Sequence, residues 1–272
     1  MKSVGDIDAY MAIAKLYKKH AKNGNAKFCF VEYVDNANTP QITLDNFWNP
    51  MIDPNKVVTN NIEIGTNRQN PHNVIITGPN AGGKSTVLKG ITLSILLGQT
   101  IGIAPADRMI FTPFHLINTY LNIADSSGVE SLFQAEMRRV EELLREIRSM
   151  KRNEFSYVIM DEIFTGTNPK EGMAGAYGIA KKISTYPNNI SLIATHFMVL
   201  TDLDKDTNGL FMNKKVRINR DAVGKISYVY KLENGVTDQA IALDLLAQSG
   251  FDSEILADAY HIFNKKSAQA KS

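Results

Sequence analysis

The chain has 272 residues, 44% of them hydrophobic, enough for one large α/β domain with its own core and a short appended segment. A formal net charge of +2 carries no strong field of either sign, so any nucleic-acid contact must come from local patches or from a region outside this chain. One cysteine, Cys29, excludes an internal disulfide, and no apolar run reaches the roughly 18 residues that span a bilayer.

In chain order, Val4 to Lys22 places Ile7, Tyr10, Met11, Ala14 and Tyr17 at helical spacing, flanked by Ile13 and Leu16. This predicts an amphipathic helix whose acidic residues and broken apolar run exclude a signal peptide. A cytoplasmic protein without membrane contact is expected. "KNGNAK" reads as a turn. "KFCFVEYV" alternates like a strand with Cys29 in the core, "QITLDNFW" reads as another strand, and "NPMIDPN" as a loop. From Val57 onward strands and helices are expected to alternate. "NVIITG" is a strand followed by a helix over Lys84 to Leu97. Ser131 to Met150 is a long helix with Leu132, Phe133, Met137, Val140, Leu144 and Ile147 on its apolar side. Its other side is charged, with Glu141 four residues before Arg145. "SYVIMDE" is a strand, Glu171 to Ser184 a glycine-containing helix, and "NISLIATH" a strand. "GLFMNKKVRINR" and "KISYVYKLENG" form a hairpin, and two short helices start at Asp238 and Ser253. The tail "KKSAQAKS" is expected to fray, and the basic clusters Lys15–Lys22 and Lys214–Arg220 read as solvated faces.

Alternation of strands and helices implies a mostly parallel sheet covered on both faces, with ligands at the carboxyl ends of the strands. Three strand ends carry chemistry. Gly78, Pro79, Asn80, Ala81, Gly82, Gly83, Lys84 and Ser85, with Thr86 behind them, fit G-x-x-x-x-G-K-[ST] between a strand and a helix. Glycine amides turned inward and the helix N-terminus suit phosphate oxygens. Lys84 is expected on the β- and γ-phosphates of ATP and Ser85 on Mg²⁺. "YVIMDE" ends in two carboxylates, Asp161 for Mg²⁺ and Glu162 as the base that orients water. "SLIATH" brings His196 to the end of a third apolar strand, beside the γ-phosphate. A tandem Asp-Glu pair argues for hydrolysis driving motion rather than for a small-molecule kinase.

"TGPNAGGKST", "ADSSGVESLFQAEM", "MDEIFTGTNPKEG" and "ATHF", in that order, resemble the ATPase domain of the MutS DNA mismatch-repair family. "GDIDAYMAIAKL" resembles the end of that family's lever helix, "FWNP" its His-Pro stretch with Asn49 where His is usual, and "ENGVTDQAIALDLLAQSGFDSEILADA" its C-terminal helix-turn-helix. The resemblance implies a P-loop NTPase of the ABC type. Its expected parts are the lever end over 1–24, the ATPase domain over 25–235 and the dimerising helix-turn-helix over 236–272. It implies that Asn80 contacts the γ-phosphate or its water. It implies that Ser131 reaches the partner's γ-phosphate in a homodimer, and that Gly166, Thr167 and Asn168 lie near the dimer interface. From its residues alone, Ser131 also reads as an N-cap with Gln134 completing a capping box.

Departures from the family pattern are Leu132 and Val57, where an aromatic over the adenine is common. Weaker base stacking is therefore expected. "FVE", Phe30 to Glu32, matches the letters of the family's mismatch-reading motif but lies inside the ATPase module and reads as coincidence. The chain is expected to be a C-terminal piece of a longer protein that holds mismatched or branched double-stranded DNA elsewhere. The alternative is a nucleotide-gated scaffold, in recombination control or another non-repair role, with little hydrolysis. A chromosome-maintenance or transporter ATPase is disfavoured, because "SGVESLFQAEM" stands where those carry Ser-Gly-Gly-Gln.

Overall fold

Lys2–His20 forms α1, and only one side of it is covered. Ile13, Leu16 and Tyr17 pack on a small cluster around Ala26, Phe28 and Trp48, whereas Ile7, Tyr10 and Met11 face outward. The helix is as expected, but the flanking Ile13 and Leu16 make the contact together with Tyr17, while the rest of the expected stripe faces outward. The structure, a computed structural model, describes residues 2–21, 24–121, 132–221, 226–237 and 241–269.

The segment that read as one strand is two short ones, β1 (Cys29–Phe30) and β2 (Glu32–Tyr33), followed by β3 (Ile42–Phe47) and β4 (Asn60–Ile64). Cys29 is half-buried, and burial pushes its thiol up to about 11. Next come β5 (Asn73–Thr77), α2 (Lys84–Ile101), β6 (Ile103–Ala104), β7 (Arg108–Phe111) and β8 (Leu116–Tyr120). Helix α3 (Leu132–Ser149), β9 (Ser156–Asp161), α4 (Pro169–Ile183) and β10 (Asn189–Ala194) follow. A short α5 (Leu203–Asp206), the hairpin β11 (Phe211–Arg220) and β12 (Ile226–Asn234), and helices α6 (Ile241–Gln248) and α7 (Ser253–Gln269) complete the described chain.

The main sheet has six strands in the order β12-β11-β5-β10-β9-β8. All neighbours are parallel except β11 and β12, the expected hairpin. The central strands β5 and β10 are buried along their whole length and mostly apolar, as strands covered on both faces are. One core lies between this sheet and α2, around Ile76, Leu88, Ile91 and Tyr157; the other lies under α3 and α4, around Val158, Met160, Val140 and Ala180. A second, four-stranded sheet, β2-β7-β3-β4, packs on the α2 side. Strict alternation therefore fails between α2 and α3, where three strands intervene. Strands β6 and β7 belong to the side sheets, and β8 is a half-covered edge strand without a long apolar run.

Helix α3 covers most of its expected side: Val140 and Ile147 are buried, and Phe133 and Leu144 pack on the same core. Ala135, Glu136 and Leu143 join them, and Met137 is outside. The expected Glu141–Arg145 pair is present at 3.7 Å on the solvent side. The C-terminal helices follow the expected places, although α7 runs 17 residues rather than being short.

Candidate functional site

Parallel register lines up the carboxyl ends of three strands. Asp161 pairs with Ala194, and Ala194 pairs with Ile76, so the residues just beyond each strand fall side by side. Backbone bonds carry this one step further: Glu162 N–H donates to Ala194 O at 2.9 Å and Thr195 N–H to Ile76 O at 3.1 Å. The sequence-distant residues Lys84, Glu162 and His196 are thereby brought to one spot.

The turn after β5 is shaped by its glycines. Gly83 holds φ 98°, the left-handed region, and a Cβ there would stand 3.1 Å from the Tyr230 ring. Gly82 meets the Pro79 ring at a similar limit of 3.0 Å. Asn80 to Gly82 form a short 3₁₀ turn, and α2 starts at once with Lys84. Ser85 and Thr86 sit in the first turn of α2. Ala81 and Asn80 are at the exposed rim.

Lys84 is 2% exposed, an unusual place for an ammonium. Its Nζ donates to Gly78 O at 2.9 Å and Pro79 O at 3.3 Å, and stands 3.4 Å from the Glu162 carboxylate. Burial pulls the ammonium below its ordinary value, while Glu162 and Asp161 oppose that shift. The His196 Nε2 lies 2.8 Å from Glu162 Oε1 and also contacts the Asn80 side-chain oxygen. The hydrogen bond from His196 holds the Glu162 carboxyl below its ordinary value against the opposing cost of burial, with Lys84 adding to the effect. Glu162 itself is left-handed, φ 57°. Asp161 closes β9, and its Oδ1 is buried with no partner among the described residues. A carboxylate oxygen so placed is ready for a cation or its water.

Beside the turn lies a cavity of about 310 Å³, lined by Trp48, Asn49, Val57, Val87 and Tyr230 among others. Val57 is on a wall of this cavity. Its aromatic lining is Phe47, Trp48 and, from β12, Tyr230. The Tyr230 backbone is left-handed, φ 57°, and Asn60 pins the strand on both sides of it: Asn60 Nδ2 donates to Tyr230 O at 3.1 Å and Leu232 N–H donates to Asn60 Oδ1 at 2.7 Å. In the sequence Tyr230 signals only a strand position in "ISYVYKLEN"; no local pattern connects it to Asn60, 170 residues earlier.

Downstream of Glu162, Asn168 caps α4 by accepting from Lys170 N–H at 3.0 Å, with Pro169 in the first helical turn. Ser131 lies outside the described residues, and so does any cap it forms with Gln134. Glu136, which sequence reasoning passed over, is buried in α3 and accepts the Phe164 N–H at 3.2 Å.

The family model described as MutS domain V matches residues 74–266. The DNA mismatch repair protein MutS of Thermotoga petrophila is 30% identical over 193 residues, 71% of this chain and 23% of that protein. The DNA mismatch repair protein MutS of Leuconostoc mesenteroides is 29% identical over 216 residues, 79% and 24% of the two chains. A protein named Endonuclease MutS2 from Pediococcus pentosaceus is 29% identical over 237 residues, 85% and 29% of the two. The matched part is thus about a quarter of the length of these relatives.

Proposed function

The chain belongs to the MutS family, and we propose that it is the ATP-binding and ATP-hydrolysing part of a MutS-like DNA mismatch repair protein. One observation carries this reading. A buried lysine, a tandem pair of carboxylates and a histidine, delivered by three adjacent parallel strands, converge at the mouth of a glycine turn. Such convergence suits phosphoryl transfer, where positioning and charge stabilisation supply nearly all of the catalysis.

In this reading the amides of the Gly78–Gly83 turn and the N-terminus of α2 cradle phosphate oxygens. Lys84 exchanges its carbonyl and Glu162 partners for the β- and γ-phosphates. Asn80 reaches the γ-phosphate or its water. Glu162 orients that water and takes its proton, as the water oxygen bonds to the γ-phosphorus and the bond to the ADP oxygen breaks. His196 holds Glu162 in place and faces the γ-phosphate. Ser85 and Asp161 fit Mg²⁺, which supplies charge neutralisation for the phosphates; the Asp161 Oδ1, without a partner among the described residues, supports this. The cavity under Tyr230 takes the adenine, so base stacking is provided from the hairpin rather than from Val57.

Two such chains form a homodimer with composite sites, Ser131 completing the opposite one. Opening and closing of the pair is coupled to mismatched or branched double-stranded DNA held by regions outside this chain. The chain is also similar to Endonuclease MutS2 over 85% of its length, and the second reading carried beside the first is a nucleotide-gated scaffold in recombination control or another non-repair role with little hydrolysis.

The test is the solution mass and ATP turnover of Glu162→Gln, with and without ATP and Mg²⁺. The proposal expects bound ATP, no turnover and a dimer only with nucleotide. Persistent turnover would remove Glu162 as the base, and a mass insensitive to ATP would remove the dimer switch.

A further inference from the structure

The loop that follows β9 is clamped from two sides. Glu162 and Phe164 both hold left-handed backbone, φ 57° and 60°, which non-glycine residues keep only where the surroundings impose it. Helix α4 is one jaw. It turns bare glycine faces to Phe164: a Cβ on Gly172 would lie 2.3 Å from Phe164 O, and one on Gly175 3.1 Å from its ring.

The other jaw is the start of α3. A Cβ on Gly166 would stand 2.6 Å from the Leu132 side chain, and the Phe133 ring meets the Phe164 ring edge-on at 5.2 Å. Glu136 Oε1 accepts the Phe164 N–H at 3.2 Å. Glu136 is 5% exposed, and its second oxygen, Oε2, is buried as well. The Tyr120 hydroxyl at the end of β8 is also buried, and burial together with the neighbouring Glu136 carboxyl holds its phenol above the ordinary range. A carboxyl in such a place is costly to desolvate, and burial raises its own value accordingly. The outer face of α3 offers acidic side chains to solvent at Glu141, Glu142 and Glu146. Glu136 instead points inward, and its Oε1 accepts from the loop that carries Glu162.

We propose that Glu136 is a positioning residue for hydrolysis. Its grip on the Phe164 amide fixes the left-handed turn that aims the Glu162 carboxylate, and it makes α3 the element through which movement at the start of that helix reaches the base. The inference rests on the ATPase reading above and adds to it the residue that joins helix to base.

Two conservative substitutions separate reach from charge. Glu136→Gln keeps an acceptor at the same distance from Phe164 N–H and removes the charge. Glu136→Asp keeps the charge and withdraws it by one methylene. We expect Glu136→Asp to lower kcat by about 10- to 100-fold, the usual range for a supporting hydrogen bond. KM and nucleotide affinity should stay within about twofold, because the Gly78–Ser85 turn is untouched. Glu136→Gln should keep kcat near that of the unsubstituted chain. Amide hydrogen exchange supplies a second readout: Phe164 N–H should exchange faster in Glu136→Asp while the β9 amides stay protected. A Glu136→Asp protein with unchanged kcat and unchanged Phe164 exchange would overturn the assignment, as would parallel losses in kcat and nucleotide affinity. Absence of turnover in the unsubstituted chain would overturn the ATPase reading and this role together. Turnover indifferent to Glu136 would overturn this role alone.

Discussion

Glu162 and His196 leave the ends of neighbouring parallel strands and meet at 2.8 Å, with the imidazole Nε2 against the carboxylate Oε1. The contact lowers the Glu162 carboxyl from its ordinary value of 4.5. A lowered carboxyl adds stability that is present above 4.5 and is lost as pH falls through the lowered folded value. In His196→Ala the burial of Glu162 acts with one opposing partner fewer, so its carboxyl rises. The acid limb of the kcat–pH profile should therefore move to higher pH, with kcat at neutral pH down by about 10²-fold. An acid limb that stays put would show that Glu162 does not set it.

The second prediction concerns the buried ammonium. Lys84→Met removes a cation that burial disfavours, and leaves Glu162 with its His196 contact. Nucleotide affinity should fall by about 100-fold or more, as expected when the charge that faces two phosphates is lost. Thermal stability without nucleotide should hold or rise, since the methionine keeps the stem's packing and drops the desolvation cost. Titration with a fluorescent ATP analogue and a melting curve check the two halves. A clear fall in Tm would mean that the Lys84 bonds to Gly78 O and Pro79 O outweigh burial.

A third prediction separates base from phosphate. Tyr230→Ala should weaken ATP binding by about 5- to 10-fold, from loss of about 1 kcal/mol of stacking. Inorganic tripolyphosphate should bind unchanged. Tyr230→Phe should keep ATP affinity, because the ring face is what the cavity offers. Calorimetric titration of both ligands decides it, and equal losses for the two would place the effect in the hairpin's support of Gly83.

The last prediction tests the clamp on the loop after β9 from the α4 side. Glycine within a helix ordinarily costs about 1 kcal/mol relative to alanine. Gly178→Ala, where a Cβ meets nothing within 4 Å, should accordingly raise the Tm. Gly172→Ala should lower it by the equivalent of about 1–3 kcal/mol, because its Cβ falls 2.3 Å from Phe164 O. Matching shifts in the two variants would show that the loop moves away freely.

What the sequence determined by itself follows from local chemistry. A glycine turn between an apolar strand and a helix can be read in a window of ten residues, because strand period, left-handed glycine and helix start are all local. Asp161, Glu162 and His196 were legible for a related reason: fully buried parallel strands are continuous apolar runs, and polar residues at their ends stand out. The rule of parallel sheets then predicted that these ends meet, and in the structure Lys84, Glu162 and His196 do. Tertiary structure alone decided the rest. Which side of α1 is covered depended on where the small cluster around Trp48 lay, not on the strength of the helix's own stripe. That Glu136 turns inward depended on α3 packing against the loop after β9, a contact that offsets the cost of burying a carboxyl with an amide 28 residues away. That Tyr230 overlooks the cavity depended on β12 joining the edge of the main sheet and on Asn60 holding it there. These last features rest on pairings between distant segments, whose energies appear only after the sheet has set the register, and no periodicity within either segment records them.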